Sequence, residues 1–142
     1  MYPIPELGQY IGGLMEKRVK SYKVDICPVA WARPGGKQQR YDAQKDEKML
    51  FGLHVNKEHK AEEIFDGPLG IDIAFVFKYP SAKSRGELHW YTHVPDIDNL
   101  EKFLFDTLKD CGVVKDDKLF VKVSKEKIYG NVAHVEFTIR EL

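Results

Sequence analysis

Two aspartates separated by a single residue, Asp96 and Asp98, are the most chemically suggestive pair in the sequence. Pro95 favours extended backbone on its N-terminal side, so both carboxylates can point the same way. Two like charges held close together repel, and protonation, basic neighbours or a bound cation must relieve that repulsion. Carboxylate oxygens are hard ligands that suit Mg²⁺, with Mn²⁺ as a possible substitute. The pair therefore indicates a candidate metal site.

Other residues nearby in sequence extend this candidate site. Lys102 lies four residues past Asp98, hence one helical turn away on the same face, from where it can reach a phosphate. A second acid pair, Asp116-Asp117, follows the predicted helix. That helix would be about 20 Å long and five extended residues reach back at most about 17 Å, so Asp117 can rejoin the first pair only if the chain doubles back. Completion within one chain and completion across a dimer interface both stay open.

Each of these residues also has an ordinary structural interpretation. Asp96 can be a turn residue, and Asp98 can be a helix N-cap with Glu101 as its capping-box partner. Lys102 can be a solvated partner of one of these acids, and Asp116-Asp117 can be a loop. Because caps and turns favour aspartate on their own account, the spacing alone is weak evidence for a metal site.

Periodicity predicts the elements that must position these residues. Strands are expected over 22–31, 69–77, 88–91, 119–124 and 132–139, and helices over 42–63 and 98–111. The first helix would carry Met49, Leu50 and Leu53 on one side, and Gly112 would end the second. The last two strands would form a hairpin through 129–131. The predicted fold class is α+β.

Length and composition favour one domain. With 142 residues, of which 43% are apolar, the chain can bury a single modest core. We expect residues 1–20 to be an N-terminal extension and 21–142 to be the domain. No run reaches the roughly eighteen apolar residues of a membrane span, so we expect a cytoplasmic protein without membrane contact. Cys27 and Cys111 are too few for a disulfide framework and lack the spacing of a zinc site.

The formal net charge is zero, but the charges are unevenly distributed. Basic residues surround a Pro-Gly-Gly turn and occupy a second loop: Arg33, Lys37, Arg40, Lys83 and Arg85. Separate basic segments of this kind can follow a phosphate backbone, which predicts DNA contacts. The alternative is that they are ordinary solvated surface.

Three motifs follow one another in the sequence: PDIDNLEK, then FDTLKDCGVVKDD, then a lysine-rich strand. This ordered set resembles the signature region of the RusA-type Holliday junction resolvases. Further upstream, PVAWARPGGKQQRYD is similar to the first strand and the Arg/Pro-rich loop of that family. The resemblance covers roughly residues 22–129 and leaves residues 1–20 outside.

The resemblance implies roles for individual residues. Asp96, Asp98 and Asp117 would be the metal-binding catalytic carboxylates, Lys102 the catalytic lysine and Asp116 a secondary acid. It also implies a small α+β domain with a mixed sheet flanked by helices, forming an intertwined homodimer. Such a protein would resolve four-way DNA junctions with magnesium, by paired symmetric phosphodiester cuts, in recombination and repair.

Two other functions stay open at this point. One is a nuclease with the same residues for other branched DNA, and the other is a non-catalytic DNA-binding protein. A pure binder has no use for an acidic cluster facing phosphate, which disfavours the second. The zero net charge departs from the basic balance expected of a junction binder.

Overall fold

The computed structural model describes residues 17–30, 38–60 and 62–142. Its strands are β1 (Val19–Val24), β2 (Leu69–Lys78), β3 (Phe120–Gly130) and β4 (His134–Glu141), and its helices are α1 (Gln38–His59) and α2 (Ile97–Asp110). The sheet order is β1-β4-β2-β3, with β2 and β3 parallel and the other neighbours antiparallel. The described chain is therefore a single α+β domain with a mixed sheet. Neither described helix combines the length and apolarity that a bilayer crossing requires.

Strand β2 occupies the interior of the sheet because one of its faces is continuously apolar. Its alternate residues are Leu69, Ile71, Ile73, Phe75 and Phe77, and none is more than 6% exposed. They join one core cluster with side chains from both helices. The other face of the sheet carries polar side chains such as Asp72 and Thr138. The predicted period-two strand is confirmed, and both helices cover the same face.

The predicted hairpin between the last two strands is wrong. β3 and β4 follow each other closely in sequence, but β2 lies between them and pairs with both. β4 also pairs with β1 on its other side, and its residues Val135, Phe137 and Ile139 are almost fully buried. The exposed residues of β3 include Lys122 and suit an edge.

The side of helix α1 that carries Met49, Leu50 and Leu53 is not the side that faces the core. These three residues are 59%, 53% and 66% exposed. Phe51 and Val55 are buried instead, and the Phe51 ring meets a ring of α2 edge-on at 5.8 Å between centroids. The helix carries apolar residues on both faces, and spacing alone could not choose between them.

The remaining boundaries differ modestly from the predictions. β1 ends at Val24, whereas the predicted strand ran over 22–31, and residue 31 lies outside the described residues. The predicted strand over 88–91 reduces to an isolated bridge between Trp90 and Ile128 on the outer edge of β3. Gly112 has φ 82° directly after the last turn of α2, as expected of the glycine that ends a helix.

Candidate active site

The first acid pair lies at the N-terminus of α2. Asp96 is the N-cap residue, with φ −67° and ψ 146°, and its side chain makes no capping hydrogen bond. Asp98 lies in the first turn, where its Oδ1 accepts a hydrogen bond from the Asn99 N–H at 3.1 Å. The prediction that Asp98 is the N-cap is therefore wrong. Both side chains are exposed at the end of the helix where its macrodipole favours negative charge.

The next two charged residues on α2, Glu101 and Lys102, have different surroundings. Lys102 is exposed, one helical turn beyond Asp98. Glu101 does not form the predicted capping box, because its Oε1 pairs with Lys125 Nζ of β3 at 2.9 Å. The observed helix places Asp96, Asp98 and Lys102 at the same end of α2.

The segment that leads into α2 is held by side chains that sequence reasoning missed. Lys127 Nζ donates hydrogen bonds to the carbonyl oxygens of His93 and Pro95 at 2.7 and 2.8 Å. The Tyr91 hydroxyl donates to the carbonyl oxygen of Val94 at 3.2 Å. The only sequence signal for Lys127 was its place in the lysine-rich strand, which did not distinguish it from neighbouring lysines.

The second acid pair lies beside the other end of α2. Asp117 begins a 3₁₀ turn that leads into β3, and the Asp116 carboxylate accepts a hydrogen bond from the Lys118 N–H at 3.1 Å. This hydrogen bond holds the pKa of Asp116 below its usual value, and Asp117 and the charge of Lys109 act in the same direction. Lys109 belongs to the last turn of α2. The pair is therefore close to the C-terminal turn of that helix.

The two acid pairs are consequently separated within one chain. α2 has 14 residues, and a helix of this length is about 20 Å long. Among the described residues, no group of three or more His, Cys, Asp or Glu side chains is arranged to hold a metal ion. A single chain thus brings Asp96 and Asp98 to one end of α2 and leaves Asp117 near the other.

Of the predicted DNA-contacting residues, the structure describes the second loop. Lys83 and Arg85 are exposed after the end of β2. Arg85 lines a depression of about 250 Å³ together with Lys78 and Asn131. Arg33 and Lys37 lie outside the described residues, and Arg40 is described only as backbone in the first turn of α1.

Comparison with known proteins agrees with the signature motifs. The family model for endodeoxyribonuclease RusA matches residues 25–140, which include both acid pairs and Lys102. The uncharacterized protein YqaN of Bacillus subtilis (strain 168) is 30% identical over 131 residues, covering 81% of this chain and 91% of YqaN. The crossover junction endodeoxyribonuclease rusA of Lactococcus phage r1t is 25% identical over 126 residues, covering 85% of this chain and 95% of the phage protein. Because the family match spans most of the sequence, this chain belongs to the RusA family of endodeoxyribonucleases.

Proposed function

We propose that this chain is a magnesium-dependent endodeoxyribonuclease that resolves four-way DNA junctions as a homodimer, by paired symmetric cuts, in recombination and repair. The observation that carries the proposal is the exposed pair Asp96 and Asp98 at the start of α2, with Lys102 one turn on, in a chain of an endodeoxyribonuclease family. The name of the phage relative, a crossover junction endodeoxyribonuclease, supports the junction as substrate.

The donor chemistry of the site fits magnesium. Asp96 and Asp98 offer carboxylate oxygens, the ligands that Mg²⁺ and Mn²⁺ prefer, and the Asp96 carboxylate is not used as a helix cap. Together with Asp117 they would hold the cation. When bound, magnesium supplies the positive charge that activates a water nucleophile and stabilises the anionic transition state of phosphodiester hydrolysis.

Protein groups supply the rest of the chemistry. The Lys102 ammonium is a compact charge on a flexible stem, and from the first turns of α2 it neutralises charge on the phosphate being cut. Asp116 is the secondary acid, because its carboxylate holds the turn before β3 through the Lys118 N–H. Lys83 and Arg85 contact the DNA backbone from their exposed loop.

The outer edge of β3 offers an interface for the dimer. In the described part of the chain, the only segment on this edge is 89–91, which bonds to residues 127 and 129 of β3. Val121 and Val123 of β3 are 65% and 39% exposed. An open strand edge with apolar side chains is a template for pairing with another chain. Two copies would pair β3 with β3 in antiparallel fashion around a twofold axis.

Such pairing would also complete the metal site. If it is centred near Val123, Phe120 lies opposite Glu126 of the partner subunit. Asp117 precedes β3, so the partner's Asp117 would approach the end of β3 where Lys127 holds the residues before Asp96. The separation of the two acid pairs within one chain supports completion by the partner. A twofold dimer also matches a junction that is resolved by two opposed cuts.

A cleavage assay tests the proposal. A four-way junction, a fork and a linear duplex are each incubated with the protein, with and without Mg²⁺. We expect magnesium-dependent paired cuts in the junction and little cutting of the duplex. Preferential cutting of the fork would indicate that the substrate is another kind of branched DNA and not the four-way junction. If the protein binds these substrates but cuts none of them, it is a DNA-binding protein whose acidic residues are structural.

A further inference from the structure

The residues directly before Asp96 are fixed through their carbonyl oxygens. The carbonyls of His93, Val94 and Pro95 each accept a hydrogen bond from a side chain, and two of these bonds come from the single ammonium of Lys127. On its other side, the Asp96 carbonyl accepts a hydrogen bond from the Leu100 N–H at 3.2 Å, as the helix begins. Asp96 therefore lies between two anchors, Lys127 and α2.

Lys127 itself makes two contacts with Tyr91. Its carbonyl accepts a hydrogen bond from the Tyr91 N–H at 3.0 Å, and its ammonium lies 5.5 Å from the centroid of the Tyr91 ring. The Tyr91 ring stacks on Phe77 of β2 with centroids 3.8 Å apart. β3 pairs with β2 in parallel register from Gly70 onward, with Lys127 opposite Phe75, so the sheet fixes the backbone from which the ammonium extends.

We infer that Lys127 is a positioning residue: its ammonium holds the segment 93–95 and so sets the place of Asp96 in the active site. The consequence for catalysis rests on the proposed function, whereas the clamp itself does not. A lysine suits this position because an ammonium has three donors that can serve two separate carbonyl oxygens. Both of its described partners are neutral, so its charge is not cancelled by an ion pair.

A competing explanation is that Lys127 binds a DNA phosphate directly. Removal of a phosphate-binding lysine weakens junction binding and reduces the slope of log K against log salt by about 0.9. Removal of a positioning residue leaves binding and its salt slope unchanged, lowers the cleavage rate and raises the Mg²⁺ concentration required for half-maximal rate. The two roles therefore differ in measurable quantities.

The first experiment tests the clamp without using activity. Backbone ¹⁵N order parameters are measured for residues 92–98 in wild type, Lys127→Met and Lys125→Met. Lys125 is a matched control, since it lies on the same strand and its ammonium pairs with Glu101 instead. Rigid backbone has order parameters of about 0.85 and flexible backbone less than about 0.6. We expect a fall to the flexible range in Lys127→Met only; unchanged values in that variant would overturn the inference.

The second experiment tests the consequence for catalysis. Single-turnover cutting of a four-way junction is measured across Mg²⁺ concentrations, with binding measured across salt concentrations. For Lys127→Met we expect a cutting rate lower by about ten- to a hundredfold, which corresponds to about 1.4–2.7 kcal/mol of barrier, a raised Mg²⁺ requirement and an unchanged salt slope. A wild-type rate, or a loss explained by weaker binding with a lower slope, would overturn the positioning role.

If Lys127→Met has a lower melting temperature than wild type, a conservative variant provides a second test. Lys127→Arg retains the charge but replaces the compact ammonium by a planar group that cannot serve the two carbonyls in the same way. We expect it to bind the junction normally and to cut slowly, whereas full activity would favour a phosphate contact. If the wild type cuts no branched DNA, the proposed function fails, and the order parameters still decide whether the clamp exists.

Discussion

Asp96 and Asp98 have the same side chain but different roles in the backbone. Asp96 caps α2 through its backbone alone, and Asp98 lies inside the first turn. Since neither carboxylate is buried and Asp96 makes no capping bond, helix formation does not account for both acids. Their substitution should therefore affect the metal-dependent chemistry more than the fold.

We predict that Asp96→Asn, Asp98→Asn and Asp117→Asn each abolish cleavage and leave junction binding intact. The amide keeps the shape of the side chain but loses the charge that holds the cation. Asp116→Asn should be milder, because an amide oxygen can still accept the Lys118 N–H. Cleavage assays in Mg²⁺ and gel-shift titrations measure the two effects. Any of the first three variants cutting near the wild-type rate would contradict the assignment.

Lys102 separates a catalytic site from a structural one. It is exposed, so Lys102→Ala should change the free energy of unfolding by no more than about 0.5 kcal/mol. We predict that the same variant lowers single-turnover cleavage about a hundredfold, equivalent to about 2.7 kcal/mol of barrier. Lys102→Arg should not restore the full rate, because the planar guanidinium cannot replace the compact charge. A wild-type cutting rate in Lys102→Ala, with a normal thermal melt, would remove this lysine from the mechanism.

His59 is a buried histidine that should make stability depend on pH. Its Nδ1 lies 2.7 Å from the Tyr22 hydroxyl, and its Nε2 has no partner in the described part of the chain. Burial lowers the pKa of His59 below its ordinary value of 6.5. Below that value the unfolded chain binds a proton that the folded chain excludes, so stability is full above about pH 6.5 and falls as the pH decreases toward the folded pKa.

We predict that the double variant Tyr22→Phe/His59→Phe removes this pH dependence. It should also be less destabilised at pH 7 than Tyr22→Phe alone, because the single variant leaves the second buried nitrogen of His59 unpaired, at a cost of about 1–3 kcal/mol. Urea unfolding at several values between pH 5 and 8 gives both quantities. If the free energy of unfolding has the same slope against pH in the wild type and the double variant, other groups cause the pH dependence of stability.

The helices and strands that could be predicted from the sequence are those with a clear local periodicity of apolar residues. The alternation in β2 and the apolar face of α2 specified both elements to within a few residues, and helical spacing placed Lys102 one turn beyond Asp98. The buried face of α1 was not predictable, because Met49 and Phe51 lie on opposite faces and only packing against α2 decides which is buried. The neighbours of β4 and the position of Asp117 likewise depend on long-range contacts.

The basic residues between positions 33 and 40 are the subject of the prediction on DNA binding. We predict that neutralising Arg33, Lys37 and Arg40 together weakens junction binding and reduces its salt slope by about 0.9 for each phosphate that the protein no longer neutralises. Neutralising Lys45, Lys57 and Lys60, which are exposed on and just after α1, serves as the matched control for net charge. Binding of each variant to the junction is measured at several salt concentrations. Equal slopes of log K against log salt for the two triple variants would refute the assignment.

For the whole molecule, the decisive question is whether one subunit completes the site of the other. We predict that a mixture of Asp96→Asn and Asp117→Asn, coexpressed to form heterodimers, recovers cutting although each variant alone is inactive. If Asp117 acts across the interface, one of the two sites in the heterodimer contains no substituted residue. That site should nick one strand of the junction. If Asp117 acts within its own chain, both sites stay defective and the mixture is inactive.

The place of β4 in the sheet determines when the domain can form during synthesis. β4 is the last strand in sequence, yet it pairs with β1 on one side and β2 on the other, with Val19 opposite Arg140. Until the ribosome has released β4, β1 has no partner in the described sheet and the apolar face of β2 stays incompletely covered. Long-range pairing of this kind slows folding and prolongs the exposure of aggregation-prone strands. The complete sheet therefore forms only after almost the whole domain has been made.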